Sequence, residues 1–171
     1  SLAGCLLLGT AIASAQAIKK SYPTTANPSF SIHTHNGKIS ISGWDQNQIE
    51  IQGDPASDSM DVIIMDTEQK VSVQTHPKRE RLSPQESRID FKIGVPRQAT
   101  VRVESERGDI VVENLDGSVT IEGISTPVTL SRIKGHITAR TVDGSILIQS
   151  SEGTINADSI SGDLKFVQVN G

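Results

Sequence analysis

Two histidines, one tryptophan and a column of alternating charges are the residues of this 171-residue chain whose types and spacing could do chemistry. His33 and His35 stand two apart in FSIHTHNG. On a strand they share one face, and two imidazoles on one face can begin a zinc or copper site. No carboxylate is locally spaced to complete the set, and His76 and His136 are distant. The expected arrangement is therefore a polar outer face with Ile32 and Thr34 turned inward, and no metal is assigned. Trp44 can offer a flat surface to a sugar ring, or it can cap the first turn of a stacked fold; we read it as the cap. Glu122, Arg140 and Asp158 are evenly spaced along the chain. Carboxylates grouped with an arginine are what a glycan-cleaving groove needs, but alternating charge is also what an exposed sheet column favours, and we read the column structurally.

Other chemistry is missing. Gly-x-Ser-x-Gly, His-Glu-x-x-His and a phosphate-cradling glycine loop do not occur, so no catalytic residue and no cofactor are assigned. Asp116 and Asp143 precede glycines, as calcium β-roll aspartates can. The equivalent positions are Ser125, Lys134, Glu152 and Ser161, which leaves the aspartates a role in turn formation. A net charge of -4 and a pI near 5.5 argue against nucleic acid, and with aromatic residues at 3% no stacking platform compensates.

The elements that would position these residues follow from a repeat. From Gly108 the chain divides into nine-residue blocks: GDIVVENLD, GSVTIEGIS, TPVTLSRIK, GHITARTVD, GSILIQSSE, GTINADSIS and GDLKFVQVN. Gly108, Gly117, Gly135, Gly144, Gly153 and Gly162 open blocks and mark corners, and Thr126 takes the one remaining block start. The second and fourth residues after each start are apolar, the alternation of a strand. A third apolar residue recurs at offset seven (Leu115, Ile124, Ile133, Val142, Ile160, Val169), with Ser151 the exception. One short strand per block cannot bury its own apolar edge, so the blocks must stack. At offset four, pairing alternate blocks separates Val112, Leu130, Ile148 and Phe166 from Ile121, Ala139 and Ala157, large from mostly small. This predicts an all-β fold, a β-solenoid of about two short strands per 18-residue turn; a three-strand turn and a β-sandwich of regular hairpins stay open as alternatives.

Upstream, FSIHTHNGKISISGWDQNQIEIQGD repeats the module loosely. DVIIMDTEQKVSVQT predicts two strands about an Asp66–Gln69 turn, RIDFKIGVP predicts another before Pro96, and antiparallel pairing is open to all of them. HPKRERLSPQES predicts a solvated loop. The opening SLAGCLLLGTAIASAQA has an apolar run from Leu2 to Ala13 and two Ala-x-Ala patterns, the marks of a signal peptide lacking its basic start. Leu2-Ala3-Gly4-Cys5 also fits a lipobox with Cys5 as lipid anchor, though the apolar run continues past it. The expected organisation is a signal peptide over 1–17, a linker over 18–29 and a single domain over 30–171, irregular over 30–107 and regular over 108–171. The repeat is expected to continue beyond Gly171, since the chain stops on the first residue of a block.

Three stretches, IHTHNGKISISGWDQNQIEI, IDFKIGVPRQATVRVESERGDIVVENLDGSV and the Gly-x-Ile blocks, resemble the family of putative adhesins, bacterial extracytoplasmic β-solenoid domains of unassigned function. The resemblance runs from about residue 30 to 171. The family name implies surface adhesion. With the signal-like opening and the missing catalytic motifs, the expectation is a periplasmic, cell-envelope or secreted, non-enzymatic protein whose partner is an envelope glycan or a protein surface, with no transmembrane segment in the mature domain. A carbohydrate-active β-helix enzyme and a periplasmic sensor or accessory domain are the alternatives.

Overall fold

The computed structural model describes residues 16–171, so the Cys5 anchor and nearly all of the expected signal peptide lie outside the described residues. The described chain is all-β, with no helix. Its strands are β1 (Ile18–Pro23), β2 (Ser29–Asn36), β3 (Ile39–Trp44), β4 (Gln48–Pro55), β5 (Met60–Asp66), β6 (Lys70–Pro77), β7 (Ile89–Pro96) and β8 (Thr100–Arg107). The repeat continues them with β9 (Ile110–Leu115), β10 (Val119–Ser125), β11 (Val128–Ile133), β12 (Ile137–Asp143), β13 (Ile146–Gln149), β14 (Ile155–Ser161) and β15 (Leu164–Val167). They form two mixed sheets, ordered β1-β4-β7-β3-β9-β11-β13-β15 and β14-β12-β10-β8-β2-β6-β5, and neither closes into a barrel.

Within the repeat every pairing is parallel and joins each block to the next but one. Val112, Leu130, Ile148 and Phe166 stand in one column of the first sheet. Ile121, Ala139 and Ala157 stand in one column of the second. The same offset joins β8 to β10, with Val101 beside Val119, so the regular register begins one block earlier than the glycines indicate. Ala99 holds the corner there, fully buried. The inward side chains of both sheets form one apolar cluster, built almost wholly from Ile, Val and Leu.

The two halves of each 18-residue unit differ in a way the nine-residue pattern conceals. In alternate blocks the residue at offset six is left-handed: Asn114, Arg132, Ser150 and Gln168 have φ of 60°, 53°, 52° and 52°. That reversal turns the next side chain inward, and Leu115, Ile133 and Ser151 are buried. In the other blocks the strand runs on, so Ser105, Thr141 and Ser159 point inward at the equivalent position. Ser159 donates its hydroxyl to the Gly144 carbonyl at 2.9 Å. The offset-seven residues of these blocks face solvent instead, Ile124 at 53%, Val142 at 45% and Ile160 at 78% exposure. The single apolar class expected at offset seven is thus two classes, one in the core and one outside.

The N-terminal half mixes directions. β2 and β3 continue the parallel stacks, onto β8 and β9 respectively. β4 runs antiparallel to β1 and β7, and β5 antiparallel to β6. Part of the stretch expected as linker is the strand β1, laid along β4 with Tyr22 packed against the core. Its sequence, IKKSYP, has only Ile18 and Tyr22 to signal an inward face, too few for a period to show. The loop after β6 is held by a reciprocal Ser83–Glu86 pair. Glu86 accepts from the Ser83 backbone N–H at 2.8 Å, and its own N–H donates to the Ser83 hydroxyl at 3.2 Å, the geometry of a capping box over one turn.

Replacing Ile148 by Asp should abolish folding. The position is fully buried between Leu130 and Phe166 and has no partner for a carboxylate, so circular dichroism should show loss of strand signal. Loop 78–88 should loosen in acid. The Ser83 backbone N–H, then the Ser83 hydroxyl and Arg79, hold the Glu86 carboxyl below its ordinary value. A depressed folded-state value contributes order above the unfolded value and loses it as pH falls through the folded one. Hydrogen exchange of residues 83–87, corrected for intrinsic rate, should therefore accelerate below about pH 4, and a rate independent of pH there would remove the carboxylate from the account.

Candidate functional site

The outer face of the first sheet carries a trough over β4, β7, β3 and β9. Register places its side chains in rows: Gln52, Lys92, Ser40 and Val111 in one, Glu50, Gly94, Ser42 and Glu113 in the next. Of the two middle strands, β3 contributes the small Ser40 and Ser42 and β7 contributes Gly94 together with the longer Lys92, while the flanking strands contribute Gln52, Glu50, Val111 and Glu113. The floor is therefore low along β3 and at Gly94, with Lys92 rising from β7. Three adjoining recesses of about 360, 320 and 340 Å³ follow β3 from Lys38 to beyond Trp44. The first two share Ser40, Gln52 and Lys92, and the third meets the first at Trp44.

Trp44 comes from the row beyond Gly94 and leans back over it. A Cβ on Gly94 would come within 2.7–2.9 Å of three carbons of the six-membered indole ring, so the ring can rest there only because residue 94 has no side chain. The indole Nε1–H donates to the Gln48 carbonyl at 2.9 Å and fixes the rotation of the ring. Trp44 is thus half-buried on the outer face of a middle strand rather than over the end of the stack, and it forms a wall of two recesses. Around it the polar groups are tied to one another. Gln52 donates to Glu50 at 2.7 Å, Arg132 pairs with Glu113 at 2.8 Å and Arg97 with Asp45 at 2.8 Å. The bond to Asp45 raises the Arg97 pKa above its ordinary value.

The other sequence-identified residues lie elsewhere. Glu122, Arg140 and Asp158 are neighbours in register on the outside of the second sheet. Among the described residues Arg140 makes no ion pair within 4.0 Å; Glu122 is held instead by Arg102 at 3.3 Å, which also binds Glu104 at 2.7 Å. Glu104 stands beside Glu122 in the ladder, so Arg102 bridges two like charges, and the bond to Glu104 raises its own pKa. His33 and His35 project outward from β2 with rings parallel at 6.0 Å, while Ile32 and Thr34 are buried. His35 shares a 2.9 Å hydrogen bond with Thr75, and His33 approaches Glu104 at 3.8 Å. Among the described residues no three His, Cys, Asp or Glu are grouped to hold a metal.

The corner glycines form two stacks. A Cβ on Gly153 would overlap the carbonyl oxygen of Gly135, one coil earlier, and Gly153 also has φ of 124°. Gly117 needs no positive φ, yet its Cβ would overlap the Ala99 carbonyl. Thr126 fits because its side chain turns inward, fully buried, with its hydroxyl 3.3 Å from that of Thr141. A further recess of about 390 Å³ lies under loop 78–88, bounded by Arg79, Arg81, Arg107 and Ile124. Arg79 is already paired there with Glu86, and Asn36 with the Pro84 carbonyl.

Arg102→Ala should cost roughly 0.5–1 kcal/mol in urea unfolding, because it leaves Glu104 and Glu122 facing each other. Arg140→Ala should cost less than about 0.5 kcal/mol. The difference should narrow at high salt; equal losses at low salt would show that the bridge contributes nothing.

No family model and no curated protein matches the chain. Among solved structures it is similar to a putative cell adhesion protein from Clostridium sporogenes, with a TM-score of 0.57 at 7% identity over 89% of this chain and 99% of that one. It is more distantly similar to a putative adhesin from Bacteroides fragilis, with a TM-score of 0.32 at 10% identity over 90% and 98% of the two chains. A third, a putative adhesin from Parabacteroides merdae, aligns with a TM-score of 0.26 at 8% identity over 88% and 96%. At these identities the Clostridium protein shares the fold with this chain.

Proposed function

We propose that this chain is an extracytoplasmic, non-enzymatic β-solenoid that serves as an adhesin-like binding surface of the cell envelope. The observation that carries the reading is the trough on the outer face of the first sheet, with its fixed tryptophan and its polar sides. The 18-residue register supports the solenoid, because a coil that adds one strand to each of two sheets leaves long outer faces free for binding. The signal-like opening of the sequence and the name of the Clostridium neighbour support an extracytoplasmic place.

A carbohydrate-active enzyme would need two carboxylates across one scissile bond. Glu50 and Glu113 rise from strands three apart, about 14 Å between backbones at the usual spacing, and each is already engaged, Glu50 by Gln52 at 2.7 Å and Glu113 by Arg132 at 2.8 Å. Asp54 and Asp90 are adjacent in register, but Asp90 already accepts from Arg88 at 3.2 Å and from the Lys38 N–H at 2.9 Å. These arrangements favour retention of a ligand over its cleavage.

The test is binding of the purified protein to immobilised envelope glycans and matrix proteins, with hydrolase and lyase assays on the same glycans. Saturable retention without product is expected. Release of reducing ends or unsaturated products in many turnovers per chain would overturn the non-enzymatic reading.

A further inference from the structure

We infer that the trough takes a neutral, hydroxyl-rich pyranose chain laid along β3, with one ring stacked on Trp44; this rests on the binding-surface reading and names its ligand. The tryptophan is the first reason. It lies flat across Gly94 and its nitrogen is held by Gln48, so one indole face is spent on the protein and the ring is already oriented. A pre-set aromatic surface loses little conformational freedom on binding, and the axial C–H face of a pyranose is the complementary apolar surface. Lining groups beside it suit hydroxyls: Ser40 and Ser42 on the floor, Lys92 rising from β7 and Gln52 and Glu50 on the side, donors and acceptors together.

Length is the second reason. From Lys38 to Trp44 the trough follows six strand steps, about 20 Å, the span of a short oligosaccharide rather than of one sugar. Charge is the third. The six carboxylates that line the three recesses face Lys38, Lys92 and Arg97, and Arg88 and Arg132 pair with two of the six, so the trough holds no cationic excess to retain a polyanionic glycan and a neutral one needs none. Gly94 is small because Trp44 packs over it, and Ser40 and Ser42 keep the neighbouring outer face of β3 equally low.

The test uses three probes: an N-acetylglucosamine tetramer, a β-1,4-glucose tetramer and a galacturonate tetramer. Binding is measured by calorimetry, and the fluorescence of Trp44, the only tryptophan, is followed in the same titrations. At least one neutral tetramer should bind and shift the emission, and the galacturonate tetramer should bind at least tenfold more weakly. Trp44→Ala should weaken the neutral tetramer at least tenfold, about 1.4 kcal/mol, and Trp44→Phe should keep part of the affinity. Ser42→Leu fills the trough from a side chain that leaves the core untouched, so it should abolish binding with unchanged melting even if Trp44→Ala folds poorly. Failure of both neutral tetramers to bind, or preference for galacturonate, overturns the ligand class. Binding that survives both Trp44→Ala and Ser42→Leu overturns its place. Either result leaves a non-enzymatic binding surface standing, whereas cleavage of a probe would remove that reading itself.

Discussion

The close approach of one corner's carbonyl to the next corner's α-carbon is the constraint on which the rest of the structure depends. Coils can stack at strand spacing only where the backbone at each turn comes as near to its neighbour as the backbone within the sheets does. At Gly135 an added Cβ would lie 2.7 Å from the Gly117 carbonyl, and at Gly144 2.5 Å from that of Thr126. With the corners stacked, each strand of the repeat is obliged to pair with the next strand but one along the chain. Every inward column is then continuous: Ile110, Val128 and Ile146 in one sheet, Val119, Ile137 and Ile155 in the other. β-branched side chains dominate because the space between the sheets is narrow and regular, and one rotamer repeated up a column fills it.

The same register governs the outside. Stacking fixes which exposed residues are neighbours, and like charges placed side by side must be bridged, as Arg102 bridges Glu104 and Glu122. It also places hydroxyls where the strand of one half-turn points a sixth residue inward. Thr141 reaches the Ile124 carbonyl and Ser159 the Gly144 carbonyl, so corner groups that the ladder leaves unpaired find partners among small polar side chains. Thr34, at the equivalent place on β2, has a buried hydroxyl with no partner; it stands where the regular coils give way to the mixed-direction strands.

Much of this was legible in the chain itself. Glycine every ninth residue and apolar residues at offsets two and four specify the strands, and the sorting of residue size at offset four indicates an 18-residue pairing that the ladder contacts then follow. The asymmetry between half-turns was not legible, because one block is the period of the strands while two blocks are the period of the backbone. Asn114, Arg132, Ser150 and Gln168 have nothing in common as residue types except tolerance of a turn, so their shared left-handed backbone leaves no mark in composition. One signal was available and unused. Extending the charge column one coil upstream from Glu122 reaches Glu104, and two adjacent glutamates call for a cation between them. The strand β1 escaped because two apolar residues in six do not make a period.

The trough was the least legible feature, for a physical reason. It depends on Trp44 and Gly94, distant in sequence and joined only through the register of β3 with β7. Either residue alone has an ordinary reading, a tryptophan cap and a glycine in a strand. In the regular repeat the outward columns carry no glycine and no large ring, as Val111, Thr129, Leu147 and Lys165 or Glu122, Arg140 and Asp158 show. In the mixed-direction half β4 runs antiparallel to β7, and the outward Gly94 there leaves room for the Trp44 ring. The part of the chain whose repeat is weakest is thus the part whose outer face carries the recesses, and the regular repeat supplies the edge, through β9, on which that part is built.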